Sequence, residues 1–308
     1  MGVSDLNYAI IGSGALGGYY GGRLAQAGAH VHFLLHSDYE HVAHNGLVVE
    51  STQHGNIELH QVNAYRDVHD MPKCDVVVIG LKTTSNALLP ELLAPVVKED
   101  GAVLTLQNGL GPEDDAAAVV GPARVMGGLC FLCSNKVGPG HIRQDRFDLI
   151  KLGEHGRRGV TDRMRTVAED FGAAGVRVGL AEDLPAARWE KLVWNVPYNG
   201  LSAVYGVDTT VLMAEHEQEV TDLMFEVVEA AKAVIGHTIP GAFVETMLNN
   251  TRNMDAYRPS MMIDFEMGRP MEVEAIYGEP VRRAEAADCA VPRMRELYEK
   301  LKALDAQR

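Results

Sequence analysis

The sequence predicts an α/β protein in which a doubly wound sheet domain is followed by an all-helical domain. A glycine-rich loop follows a short apolar run near the N-terminus, and strand-like apolar runs recur up to Leu180. Beyond Asp183 the apolar residues recur almost wholly at helical spacing. A chain of 308 residues suits two domains, which we place at 1–182 and 183–308.

The first domain opens with a strand at 6–11, a helix ending near Gly28 and a second strand at 30–35. This order is typical of the start of a Rossmann-type sheet. Runs at 46–51 and 56–62 flank a short turn and predict a hairpin. Further strands are predicted at 74–81, 102–106 and 176–180 and within 124–153, and further helices at 85–97 and 161–174.

The composition excludes several classes of protein. A formal net charge of −14 argues against nucleic-acid binding, which requires a basic surface. We expect neither secretion nor a membrane span, because no signal peptide and no run of about 18 apolar residues is found. Four cysteines indicate a reducing, cytoplasmic compartment. Cys130-x-x-Cys133 lacks a second ligand pair, and the histidines show no ligand spacing, so no metal is predicted.

The glycine-rich loop is the segment Gly12-Ser13-Gly14-Ala15-Leu16-Gly17, which matches G-x-G-x-x-G between a strand and a helix. In such loops the first glycine permits a tight turn, the second lets the backbone approach a pyrophosphate, and the third lets helix and strand pack closely. The N–H groups that open the helix then face the phosphates. The alternative is a glycine-rich turn without a ligand.

The end of the second strand bears on which dinucleotide binds. NAD sites usually place Asp or Glu there, on the ribose hydroxyls. Here the strand ends in His36-Ser37, and Asp38 follows slightly too late, although a loop could bring it back. The sequence therefore favours NADP (NADPH) over NAD, with His36 as a candidate contact of the 2′-phosphate.

Lys191, Asn195 and Asn199 recur every four residues and form one polar stripe on a predicted helix. Their neighbours are strongly apolar, so we expect the stripe to lie among buried residues. A desolvated lysine can donate a proton near neutral pH. Pro197 lacks an N–H and predicts a kink within the stripe. A surface helix with one lysine and two asparagines is the alternative, and spacing alone leaves both open.

Several motifs match one family. They are the glycine loop, Leu81-Lys82, Leu106-Gln107-Asn108-Gly109, Lys191-Leu192-x-x-Asn195-x-x-x-Asn199, Ser260-Met261, and Glu272 with Gly278. On these residues the chain resembles the ketopantoate reductase (2-dehydropantoate 2-reductase) family over nearly its whole length. The lysine–asparagine segment and the spacing from Ser260 to Glu272 are the specific parts. The resemblance implies a Rossmann domain followed by a helical domain similar to the C-terminal domain of 6-phosphogluconate dehydrogenase.

The resemblance also implies an activity, the NADPH-dependent reduction of ketopantoate to pantoate in pantothenate synthesis. In such enzymes the lysine matching Lys191 is the general acid that protonates the developing alkoxide. The residue matching Asn108 lies where nicotinamide and lysine meet, and the lysine matching Lys82 lines the cofactor site. Asn195 and Asn199 match substrate-binding asparagines. Ser260 matches a hydroxyl that holds the substrate carboxylate.

Glu272 matches a carboxylate that accepts a hydrogen bond from the primary hydroxyl of the substrate and supports catalysis. From the residues alone, a solvated acid within Glu272-Val273-Glu274 is the simpler interpretation. Met271 and Tyr277 depart from the family pattern around this glutamate, and Arg258 departs from it before Ser260. These departures predict an altered substrate pocket.

Three hypotheses follow for the function. The first is a reductase of ketopantoate or a close 2-oxo acid. The second is a dehydrogenase of the same architecture, like the 3-hydroxyisobutyrate and glycerol-3-phosphate dehydrogenases, with another hydroxy acid as substrate. The third is a catalytically silent dinucleotide sensor, which has no need of Lys191 or Glu272. The expected partner is a small 2-oxo acid, with no nucleic acid and no membrane, and the sequence leaves a homodimer open.

Overall fold

The computed structural model describes residues 2–307, which form two compact units. The first unit contains the chain up to Gln107 together with Pro112–Leu184. The second contains Asn108–Gly111 and the chain from Pro185 onward. The division that we placed between residues 182 and 183 therefore assigns one short segment to the other domain. Asn108–Gly111 packs with residues that follow it by more than seventy positions.

One sheet runs through the first unit. Its strands are β1 Asn7–Ile11, β2 His30–Leu34, β3 Leu47–Ser51, β4 Ile57–Leu59, β5 Asn63–Tyr65, β6 Cys74–Ile79, β7 Val97–Thr105, β8 Val125–Gly138, β9 His141–Glu154 and β10 Arg177–Ala181. The strand order is β4-β3-β9-β8-β7-β6-β1-β2-β5, with β10 paired to β9. The pairs around β1 are parallel, as in a doubly wound fold, whereas β3–β4 and β8–β9 are antiparallel hairpins.

The α-helices of the first unit are α1 Ala15–Gln26, α2 Tyr39–Asn45, α3 Leu89–Leu93, α4 Pro112–Val120 and α5 Asp162–Ala173. Short 3₁₀ turns occupy Val68–Asp70, Thr83–Leu88 and Pro122–Arg124. The helix predicted at 85–97 is wrong over most of its length. Pro90 lies in the first turn of α3 and Pro95 follows its end, so the two prolines confine the α-helix to five residues. The short helix α2 was not predicted.

The second unit is built from helices, as predicted. They are α6 Leu184–Tyr205, α7 Thr209–Glu215, α8 Glu217–Ile235, α9 Gly241–Arg252, α10 Ser260–Glu266, a π turn at Glu274–Gly278, α11 Glu279–Ala286 and α12 Pro292–Asp305. Helix α6 includes Pro197 without a break. The apolar face of α8 lies in the core of this unit. Within residues 2–307 no helix combines the length and apolar character that crossing a membrane requires.

Candidate active site and cofactor cradle

The glycine loop joins β1 to α1 and leaves the start of the helix open. Gly12 has a φ of +94°, and a Cβ there would lie 2.6 Å from the backbone nitrogen of Leu81. Gly14 precedes α1 without a side-chain cap, and a Cβ on it would meet nothing within 4 Å. The backbone N–H groups of the first helical turn have no partner within the helix. This open helix start fits the pyrophosphate of a dinucleotide.

His36 and Ser37 are exposed just beyond β2, whereas Asp38 is buried. The Asp38 carboxylate accepts the N–H of Gly140 at 2.9 Å on Oδ2 and the Ser37 hydroxyl at 3.1 Å on Oδ1. Burial alone would raise the pKa of Asp38, but these donors and Lys136 outweigh it and lower the pKa. Asp38 is therefore an ionised carboxylate with donors on both oxygens.

The far end of β8 contacts both the glycine loop and Asp38. Ser134 Oγ donates to the carbonyl of Ala15, the first residue of α1, at 3.1 Å. Lys136 Nζ donates to Asp38 Oδ1 at 2.6 Å. Ser134 and Lys136 lie two residues apart in a strand and so share a face. The sequence prediction missed both, because their partners are 119 and 98 positions away and no local pattern conveys such contacts.

Lys82 follows β6 and stands at the N-cap of the 3₁₀ turn Thr83–Leu88. Its side chain is half-buried and its ammonium nitrogen is buried. The lysine thus belongs to the same unit as the glycine loop, and Leu81 beside it touches that loop at Gly12. Its assignment to the cofactor site remains a prediction.

Lys191, Asn108 and Glu272 meet in the second unit. Lys191 Nζ donates to Asn108 Oδ1 at 2.9 Å, and Asn108 Nδ2 lies 3.5 Å from Glu272 Oε2. One amide therefore touches a cation at its oxygen and a carboxylate at its nitrogen. Only 9% of the Glu272 surface is exposed, so the interpretation of Glu272 as a solvated acid is wrong.

Asn195 and Asn199 are buried on α6, as the stripe predicted, with 7% and 4% of their surfaces exposed. Asn199 Oδ1 accepts the N–H of Met261 at 3.2 Å and the hydroxyl of Ser260 at 3.3 Å. The side-chain carbonyl of Asn199 therefore holds the start of α10. Ser260 itself is exposed at that helix start.

The π turn at Glu274–Gly278 determines where Asn108 lies. Because the N–H of Glu279 bonds to the carbonyl of Glu274, and Pro280 has no N–H, the carbonyl of Ala275 has no donor in its own helix. The N–H of Leu110 donates to it at 2.8 Å. Gly109 has a φ of +83°, and a Cβ there would overlap the Ala275 carbonyl. The segment Asn108–Gly111 is thus docked on the turn that follows Glu272.

Met271 and Tyr277 are buried in the core of the second unit, and their effect on a substrate pocket remains a prediction. The Tyr277 hydroxyl donates to the carbonyl of Val196 at 2.9 Å and so ties the π turn to α6. Arg258 is exposed and forms an ion pair with Glu266. Arg269 pairs with Asp264 at 3.1 Å. Both arginines thus already have carboxylate partners.

Comparisons with known proteins agree with this arrangement. The family model described as "Ketopantoate reductase PanE/ApbA" matches residues 8–157, and the one described as "Ketopantoate reductase PanE/ApbA C terminal" matches residues 183–305. The chain belongs to the ketopantoate reductase family. The predicted family and fold class are therefore confirmed, and the chain is an oxidoreductase of the ketopantoate reductase type.

Similar members of the ketopantoate reductase family span the whole chain. A 2-dehydropantoate 2-reductase from a Nostoc species is 52% identical, covering 99% of this chain and 97% of its own. A crystal structure of such a reductase from Geobacter metallireducens superposes with a TM-score of 0.94 at 42% identity, covering 97% and 99% of the two chains. One from Methylococcus capsulatus gives 0.91 at 32% identity, with 98% and 97% covered.

Proposed function

We propose that this protein reduces ketopantoate to pantoate with NADPH and that Lys191 supplies the proton. The observation that carries the proposal is the connected set of Lys191, Asn108 and Glu272 within the second unit. It places a cation and a carboxylate at opposite ends of one amide. Ketopantoate offers matching groups, since its keto oxygen gains negative charge during reduction and its primary hydroxyl is a neutral donor.

Lys191 has the reach and chemistry of the general acid. One ammonium N–H is directed to Asn108 Oδ1, which holds the nitrogen in place, and a lysine ammonium has three N–H donors in all. A bound dinucleotide would supply the hydride for the keto carbon. Lys191 then transfers a proton to the alkoxide oxygen and stabilises the charge that develops there.

Glu272 and the asparagines account for recognition of the remainder of the substrate. The Glu272 carboxylate is buried and can accept the primary hydroxyl, whereas it would repel the substrate carboxylate. The amide nitrogen of Asn199 and the Asn195 side chain are neutral polar groups suited to that carboxylate, and the Ser260 hydroxyl would join them by turning its proton away from Asn199 Oδ1. The substrate therefore binds with its hydroxyl toward Glu272.

The direct test follows the loss of NADPH absorbance with ketopantoate, a panel of other 2-oxo acids and NADH as a control. We expect efficient turnover with ketopantoate and NADPH. Turnover confined to another 2-oxo acid would contradict the assigned substrate but retain the role of Lys191. Binding of NADPH without turnover of any oxo acid would contradict the enzymatic function and favour a dinucleotide sensor.

A further inference from the structure

Asp38 lies near the position where NAD sites place an acidic residue, but its carboxylate is already hydrogen-bonded within the protein. An acidic residue about 20 positions beyond the glycine loop typically binds the ribose 2′-hydroxyl in NAD sites. Asp38 lies near that spacing, just after β2. Its carboxylate is instead buried among Ser37, Lys136 and the N–H of Gly140, with donors on both oxygens. The carboxylate that would select NAD is therefore committed to protein partners.

We propose that Lys136 is a specificity-determining residue, which cancels the charge of Asp38 and so lets the site accept the 2′-phosphate of NADPH. The inference rests on the proposed dinucleotide function and adds a residue to it. The Lys136 side chain is 31% exposed and that of Asp38 is 8% exposed. The Lys136 side chain therefore both covers the buried carboxylate and stays partly in contact with solvent, from which a phosphate can approach.

The position of β8 supports this role. Ser134 bonds to the first residue of α1, where the pyrophosphate is expected, and Lys136 lies on the same strand face beside Asp38. Two residues along a strand span roughly 7 Å. This separation matches the short step from a pyrophosphate to the adenine ribose. The strand thus runs along the expected path of the dinucleotide.

The charges predict what happens when the pair is broken. Replacing Lys136 with an uncharged side chain leaves the ionised Asp38 unpaired near the 2′-phosphate, and like charges repel strongly at short range. NADH lacks that phosphate, so its binding should change little. The unpaired carboxylate could also accept the ribose hydroxyl of NADH. Both effects shift the preference away from NADPH.

The experiment measures the dissociation constants of NADPH and NADH by nicotinamide fluorescence at fixed ionic strength. We expect K136M to raise the dissociation constant for NADPH by about tenfold or more, with that for NADH unchanged or lower. K136R should retain the preference of the native chain. The double variant K136M/D38N, which removes both charges, should restore much of the preference for NADPH.

The matched control is K98M. Lys98 pairs with Asp75 at 2.7 Å in the same unit, and Asp75 accepts the N–H of Asn7 at the start of β1, the strand end opposite the glycine loop. This variant breaks a comparable ion pair remote from the cradle and should leave the ratio of the two constants unchanged. The thermal stability of K98M also measures how far the loss of one ion pair alone lowers the stability of the fold.

The outcomes separate the two proposals. An unchanged ratio in K136M, or a native chain that binds NADH more tightly than NADPH, overturns the role of Lys136 and leaves the dinucleotide site intact. A native chain that binds neither dinucleotide overturns the proposed function, and the role of Lys136 with it. A loss of NADPH preference in K136M that is restored in the double variant supports the inference.

Discussion

At the scale of single residues, the proposed function depends on Lys191, whose ammonium is hydrogen-bonded to the Asn108 side chain. Lys191→Ala should lower kcat by about 10² or more, the usual cost of losing a general acid, while NADPH still binds. Substitution of Lys232, an exposed lysine on α8, is the matched control. Steady-state kinetics and nicotinamide fluorescence measure the two effects. Turnover close to that of the native chain would exclude Lys191 as the acid.

Glu272 permits a sharper substrate test. Glu272→Gln should raise KM for ketopantoate by about tenfold or more, since a hydrogen bond to a charged group contributes about 1.5–3 kcal/mol. A 2-oxo acid of the same size without the hydroxyl should show no such change. Glu299, whose side chain is 58% exposed, provides the control substitution. Equal effects on the two substrates would mean that Glu272 does not bind the hydroxyl.

At the scale of elements, the docking of Asn108–Gly111 can be tested with two glycines. In Gly109→Ala the alanine must adopt a left-handed φ, and its Cβ overlaps the Ala275 carbonyl. In Gly111→Ala the alanine must adopt a similar φ of +97°, but its Cβ meets only the Glu279 side chain at 3.8 Å. The strained φ alone costs about 1–2 kcal/mol in either variant. We expect Gly109→Ala to lower kcat at least tenfold more than Gly111→Ala. Similar kinetics in both variants would argue against the docking.

Prediction from sequence was most successful where the pattern is local. The first strand, the glycine loop and α5 all follow from neighbouring residues, and the Lys191 stripe was correctly placed among buried residues. The helix at 85–97 failed because two prolines restrict α3. The docking of Leu110 on Ala275 and the ion pair of Lys136 could not be predicted, because they join residues that are distant in the sequence.

At the scale of the molecule, the two units should respond differently to acid. Asp38, Asp148 and Glu154 of the first unit have side chains that are 8%, 2% and 0% exposed. Burial would raise the pKa of each, but hydrogen-bond donors lower it, with the N–H of Gly140 first among them for Asp38 and an arginine first for each of the other two. Glu217, Glu274 and Glu296 are carboxyls of the second unit whose pKa is also lowered, and their side chains are at least 41% exposed.

A carboxyl whose pKa is lower in the folded than in the unfolded state stabilises the fold at pH values above its pKa in the unfolded state, which is about 4. This stabilisation is lost as the pH falls through the pKa of the folded state. We therefore expect acid to open the first unit before the second. Pepsin cleavage mapped by mass spectrometry reports on both units. Tryptophan fluorescence reports only on the second, because Trp189 and Trp194 both lie in α6. Simultaneous transitions would contradict the prediction.

Because of the π turn, the geometry of the candidate active site depends on how many residues this segment contains as well as on their types. A π turn corresponds to an α-helix with one inserted residue. Deleting one residue between Glu274 and Gly278 would return the segment to the regular helical repeat and rotate the preceding residues by about 100° about the helix axis. Glu272 and the Ala275 carbonyl would then face elsewhere, although every side chain of the site would still be encoded.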